Sequence, residues 1–176
     1  VYKAEVDLKL KNGSKKVKII GHKNDPGVDI LSIIYDHGIN DVFTDEVMEE
    51  VNALPSEVLD SDRKGRKDLT DMTIFTIDGD DTKDIDDAIS ISKKGENYIL
   101  GVHIADVSYY VKEGTALYKE AYSRGTSVYL VDRVVPMLPH KLSNGICSLN
   151  PNVDRLAISC IMEITPNGKI VSHDIF

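Results

Sequence analysis

Apolar and polar positions alternate over Val6, Leu8 and Leu10, break at Asn12-Gly13, and resume at Val17 and Ile19. A period of two around an Asn-Gly pair predicts a β-hairpin within residues 1–22. The period then lengthens. Residues 26–38 read as a helix, with Pro26 near its start and Gly38 at its end. Residues 44–54 read as a second, with Thr44 as N-cap and Val47, Val51 and Leu54 on one face. Residues 60–68 form a charged linker. Beyond it, Thr73–Ile77 is β-branched and aromatic and reads as a buried strand. Ala88–Ser92 alternates as a strand, and Tyr98–Ile104 is another. Ala116–Arg124 reads as a helix and Ser127–Val131 as a short strand. Residues 154–163 are strand-like, and Asn167-Gly168 turns them into a last strand over 169–176. No internal repeat or low-complexity segment interrupts the series. The sum is an α+β chain with a largely antiparallel sheet and flanking helices.

One polar stretch stands apart. Between the strands at 73–77 and 88–92 lie six aspartates and one lysine in ten residues, Asp78-Gly-Asp-Asp-Thr-Lys-Asp-Ile-Asp-Asp87, a formal charge of −5 out of −8 for the chain. Like charges a few Å apart repel by about 4 kcal/mol per pair at an effective dielectric of ~20. Either water screens this run as a solvated loop, or a hard divalent cation neutralises it, since Mg²⁺ and Mn²⁺ prefer carboxylate oxygens. Asp84 and Asp86 share a face if the chain is extended there, Asp87 points elsewhere, and Asp78 returns from the first strand. An EF-hand loop counted from Asp78 is excluded, because Lys83 stands where glycine is required and Ile89 where glutamate is required.

Composition narrows the picture. A chain of 176 residues with 41% hydrophobic and 28% charged residues can bury a core as one domain or one and part of a second. No apolar run is long enough to span a membrane, and no basic-then-apolar leader is present. Cys147 and Cys160 read as buried core thiols, and a reducing cytoplasm is the expected compartment. The chain starts at Val1 without methionine and stops within an apolar stretch at Ile175-Phe176, and so reads as an excised piece of a larger protein. The net charge of −8 argues against a stand-alone binder of the phosphate backbone.

The stretch Thr76-Ile-Asp-Gly-Asp-Asp-Thr-Lys-Asp-Ile-Asp-Asp-Ala-Ile89 resembles the signature of the RNase II/RNase R family of 3′→5′ exoribonucleases, in wording closest to its bacterial RNase R branch. Further blocks agree in order: residues 102–111, Arg124–Tyr129, Val135–Pro139, Leu142–Pro151 and Val153–Leu156. The resemblance runs from about Leu69 to the end. It implies that residues 1–22 are the tail of an OB-type cold-shock domain, 23–68 a helical linker segment, and 69–176 the N-terminal part of the RNB catalytic domain. It implies that Asp78, Asp84, Asp86 and Asp87 are the active-site carboxylates, with Asp78 and Asp87 as direct metal ligands, Asp86 most essential to hydrolysis and Asp84 in support. Asp80 and Asp81 fall where the family varies. Tyr129 matches the aromatic that packs against the 3′-terminal nucleotides.

The implied reaction is processive hydrolysis of RNA from its single-stranded 3′ end to nucleoside 5′-monophosphates with Mg²⁺, for which Mn²⁺ can substitute. The family's downstream arginine and glutamate and its basic RNA-binding domain lie outside this stretch, so the fragment alone is expected to be weakly active or inactive. The ribosome or the RNA-decay machinery is an expected partner of the whole protein. The rival readings are a non-catalytic RNA-binding relative and a simple divalent-cation-binding domain. Loss of one of the four aspartates would point to the former, and all four are present.

Other residues keep two readings each. His103 is a structural or a catalytic histidine. Tyr109 and Tyr110 stack on bases or pack in the core. Arg124 contacts phosphate or ends a helix. Asn144 and Arg155 line an RNA path or serve the fold, and Asp106 shapes the site without a catalytic role. The basic centre of residues 60–68 touches RNA or is a solvated connection.

Overall fold

The computed structural model describes residues 3–9, 15–22 and 24–176. Two strands, β1 (Lys3–Lys9) and β2 (Lys15–His22), pair antiparallel as the alternation predicts. The Asn12-Gly13 turn lies outside the described residues. Helix α1 (Val28–Asp36) packs against both strands. The approach is close enough that a Cβ on Gly21, whose φ is +146°, would lie 2.6 Å from the Val28 side chain, which leaves room only for glycine.

Helix α2 (Asp45–Ala53) starts as expected, the Thr44 hydroxyl accepting from the Val47 amide. Its Val47 and Val51 enter the main core. There they meet Tyr110 of the short helix α3 (Val107–Tyr110), Leu117 of α4 (Ala116–Arg124), and Leu138, Leu142, Ile146, Cys147 and Leu156. Glu50 ties two of these helices together. Its carboxylate accepts from the Ala116 and Leu117 amides at 2.9 and 2.8 Å, at the N-terminus of α4, where free N–H groups and the helix dipole favour an anion. Those bonds hold its pKa below the usual range.

The sheet is four-stranded and antiparallel throughout, in the order β3 (Asp87–Lys94), β4 (Asn97–Ala105), β7 (Ala157–Ile164), β8 (Ile170–Ile175). A separate two-residue ribbon is formed by β5 (Val128–Tyr129) with β6 (Val134–Val135). The α+β architecture is therefore as expected. Thr73–Ile77 is not the buried strand that its composition suggests. Only Phe75 pairs, with Ile89 on the edge strand β3, and Ile74, Phe75 and Ile77 are exposed. β-branched and aromatic residues mark an extended segment here, but among the described residues no element buries them.

His103 is structural. It is buried, with Nε2 3.0 Å from the Ser90 hydroxyl and Nδ1 2.9 Å from that of Ser159. Burial pushes its pKa down. Gly101 makes room for this network, since a Cβ there would lie 2.3 Å from Ser90 Oγ. Both cysteines are free, and burial pushes the Cys147 thiol up to about 12. Among the described residues, no helix is long and apolar enough to cross a membrane.

The charged segment 60–68 is a solvent-exposed connection apart from buried Asp62, as expected, but its cations are not a free basic patch. Arg63 pairs with Asp154 at 2.6 Å, Arg66 with Asp106 at 2.7 Å and Lys67 with Asp174 at 2.7 Å. Lys67 also sits 3.6 Å from the centre of the Phe176 ring. Buried Asp62 accepts from the Leu59 amide and the Tyr109 hydroxyl, which hold its carboxyl below the usual range. The segment is a clasp across the fold. Tyr109 belongs to it and Tyr110 to the core, which leaves neither placed to stack on a base. Asp106 caps α3 as well as binding Arg66. Burial works to raise its pKa, but hydrogen bonds from Arg66 and Ser108 more than offset this and lower it.

A carboxyl whose folded pKa is lowered contributes stability above its unfolded value, about 3.9, and that contribution is lost as the pH falls through the folded value. The clasp should therefore loosen in acid. Thermal melting between pH 5 and pH 3 should show a smaller fall in melting temperature for Asp106→Asn, which lacks the contribution from the start, than for the wild type. Parallel falls would show that Asp106 has no part in the clasp.

Candidate active site

The acidic run is an exposed loop held from behind. Its anchor is Ser148, which is fully buried. The Ser148 hydroxyl accepts from the Ile85 amide at 3.0 Å and donates to the Lys83 carbonyl at 2.8 Å. Next to it, the Leu149 amide donates to the Ile85 carbonyl at 2.8 Å, and the Ala105 amide donates to that of Asp86 at 2.9 Å. Arg155 steadies the anchor, its Nε donating to the Ser148 carbonyl at 2.8 Å. Its role is thus structural. Backbone bonds fix the path from Lys83 to Asp87, and the acidic side chains are left to project. Residues so far apart in the chain give no local signal of this pairing, and Ser148 reads in sequence as one small residue in an apolar block.

Electrostatics places the four expected carboxylates in one neighbourhood. Asp86 is open to solvent on one side, yet the protein around its carboxyl strips away water, and Asp84, Asp87 and Asp78 add repulsion. Together they raise its pKa. The carboxylates remain spread apart. Among the described residues, no three His, Cys, Asp or Glu side chains are close enough to hold an ion. As a donor set, four aspartates around one anchored turn suit a hard divalent cation.

Tyr129 joins this neighbourhood from β5. Its hydroxyl donates to Asp84 Oδ2 in a short hydrogen bond. That bond, followed by partial burial, pushes the tyrosine up to about 12. The ring itself is exposed. Tyr129 and Asp84 line a cavity of about 510 Å³ with Asp81, Lys83, Ser127, Val134, Pro136, His140, Ser143 and Asn144. Asp81 thus reaches the cavity although the motif alone gives it no part, whereas Asp78, Asp86 and Asp87 stand outside the lining. Asn144 faces this cavity. Arg124 does not. It pairs with Glu120, donates to the carbonyls of Pro136 and Val42, and stacks on Phe43 with its guanidinium 3.9 Å from the ring centre.

Replacing Ser148 by alanine leaves the Ile85 amide and the Lys83 carbonyl without their partner. The expected loss is about 1–3 kcal/mol, or roughly 3–10 °C in the melting temperature of a chain this long. Amide hydrogen exchange at Ile85 should rise with it. Unchanged exchange at Ile85 would show that the loop does not depend on this anchor.

Residues 66–176 match the RNB domain family, and residues 11–44 match the cold shock domain family, a stretch that runs through α1. Ribonuclease R of Thermotoga maritima is 54% identical over 166 residues, 93% of this chain and 23% of its own length. Ribonuclease R 1 of Lactococcus lactis is 52% identical over 159 residues, 90% of this chain and 20% of its own. Among solved structures, Mycoplasma genitalium RNase R in complex with ribose methylated single-stranded RNA superposes with a TM-score of 0.85 at 34% identity, covering 94% of this chain and 26% of that one. The chain thus spans a fifth to a quarter of the length of these relatives. The RNB match takes in the acidic loop, its Ser148 anchor, the cavity and the whole four-stranded sheet, and on that match the chain belongs to the RNB domain family.

Proposed function

We propose that this chain is the part of a 3′→5′ exoribonuclease that carries the catalytic aspartates, and that the whole protein hydrolyses single-stranded RNA from its 3′ end to nucleoside 5′-monophosphates. The observation that supports it most is the anchored acidic loop meeting an exposed tyrosine at the mouth of a cavity, within an RNB domain. A nucleotide is a flat ring joined to a sugar and an anion, and this site has a surface suited to each part.

Asp78 and Asp87 are assigned as the direct ligands of Mg²⁺, with Asp84 and Asp86 completing the shell, and Mn²⁺ can replace it. When bound, the ion supplies charge for the non-bridging phosphate oxygens and acidifies water. The remaining work falls to the chain. Tyr129 offers its ring to the 3′-terminal base, a stacking contact of about 1–3 kcal/mol. Its hydrogen bond to Asp84 fixes the ring's position before RNA arrives. Lys83, which has no ion pair among the described residues, lies on the same cavity and can meet a phosphate. The Ser148 anchor keeps Asp84, Asp86 and Asp87 in register with Tyr129. In the whole protein the expected compartment is the cytoplasm, where RNA and free Mg²⁺ meet.

In the full-length protein that carries this chain, Asp86→Asn should lower hydrolysis of a 3′-extended oligoribonucleotide by at least ~10³-fold and leave RNA affinity within about threefold. Gel assays of product release and filter binding measure the two. Near-normal turnover would remove the role assigned to Asp86. Lost binding with intact folding would favour the reading in which these aspartates serve RNA binding without hydrolysis.

A further inference from the structure

The wall of the cavity facing Tyr129 carries a second constellation. Residues 141–146 form a helical turn that is kinked at Gly145, with φ −107° and ψ −111°. The turn sets His140 and Asn144 together, with His140 Nδ1 3.2 Å from Asn144 Oδ1, and the Ser143 hydroxyl 2.8 Å from the same oxygen. All three side chains line the cavity. Among the described residues, His140 Nε2 and the other end of the Asn144 amide have no hydrogen-bond partner.

The hydrogen-bonding character of those two free groups follows from the bonds already made. With the amide oxygen toward His140, Nδ1 must be the ring's N–H, so Nε2 of the neutral ring is an acceptor and the free amide NH₂ a donor. With the amide turned over, its NH₂ donates to Nδ1, Nε2 carries the hydrogen, and the free amide oxygen accepts. Either arrangement presents one donor beside one acceptor. That pair complements a hydroxyl, which donates once and accepts at the same oxygen. It complements a phosphate poorly, because a phosphate oxygen only accepts, and Lys83 on the same cavity is the better partner for that anion.

We propose that His140 and Asn144 form a ribose-recognition pair, taking a hydroxyl of the 3′-terminal sugar while Tyr129 stacks on its base. This rests on the nuclease reading of the same cavity. It makes the kinked turn at 141–146 a positioning element that lets the site tell ribose from deoxyribose, and the aspartates remain the hydrolytic groups.

The test is made on the full-length protein, with the wild type, His140→Ala and Asn144→Ala. Each degrades four oligoribonucleotides: all-ribose, 3′-terminal 2′-deoxy, 3′-terminal 3′-deoxy, and all-ribose with the terminal base changed. For the first nucleotide released, the wild type should prefer the all-ribose substrate over one of the deoxy substrates by about tenfold in kcat/KM, the order of one hydrogen-bonded pair. The sensitive deoxy substrate names the hydroxyl. Both variants should lose most of that preference. A variant that merely misfolds lowers all four rates together and keeps the ratio, so the ratio separates recognition from damage. Retention of the wild-type ratio in both variants would overturn the proposal. So would a change in base preference alone, which would make the pair a reader of bases. A wild type that hydrolyses none of the substrates would instead overturn the nuclease reading and this inference with it.

Discussion

Repulsion among the aspartates of the 78–87 loop is the constraint around which the rest is arranged. Six carboxylates against one lysine do not gather by themselves. Here the backbone beneath them is bound on neutral terms, while the side chains stay apart among the described residues. Ser148 holds Ile85 and Lys83, Leu149 holds Ile85, and Ala105 holds Asp86. Those bonds are all to the backbone; among the side chains Asp84 accepts from Tyr129, and burial first, then repulsion from Asp84, Asp87 and Asp78, raises the pKa of Asp86. Four aspartates on such a scaffold are a donor set of the kind that a hard divalent cation takes.

The scaffold in turn depends on elements far from the loop in sequence. Ser148 is placed by the kinked turn at 141–146 and by Arg155, and that turn belongs to the core that α2, α3 and α4 close. The core is reinforced by Glu50 capping α4 and by the 60–68 clasp, whose cations reach Asp106, Asp154 and Asp174. Asp106 follows directly on Ala105, whose amide holds Asp86, so the clasp and the acidic loop meet at the end of one strand. Tyr129 closes the arrangement from the other side, through Asp84.

Much of this was legible in the sequence. Local patterns carried α2 with its Thr44 cap, α4 from Ala116 to Arg124, and the antiparallel strands, because period and capping are properties of neighbouring residues. The aspartates were legible as a cluster because nothing but a loop or a cation tolerates that charge density. What escaped depends on contacts between distant residues. Nothing near Ser148 announces that its hydroxyl will meet Ile85. The cations at 63, 66 and 67 look solvated until their partners, 40 to 107 residues away, are brought beside them. Thr73–Ile77 misled for the converse reason, since its composition suits a covered strand and among the described residues Ile74, Phe75 and Ile77 are exposed. Helix α3 is a single turn, too short for periodicity to reveal.

The central claim is that the anchored loop is a cation site assembled in this chain. Calorimetric titration of the chain with Mg²⁺ or Mn²⁺, beside an Asp78→Asn/Asp87→Asn double variant, tests it most directly. The account predicts saturable binding that the double variant loses. Absence of binding in the wild type, or equal binding in both, would contradict it.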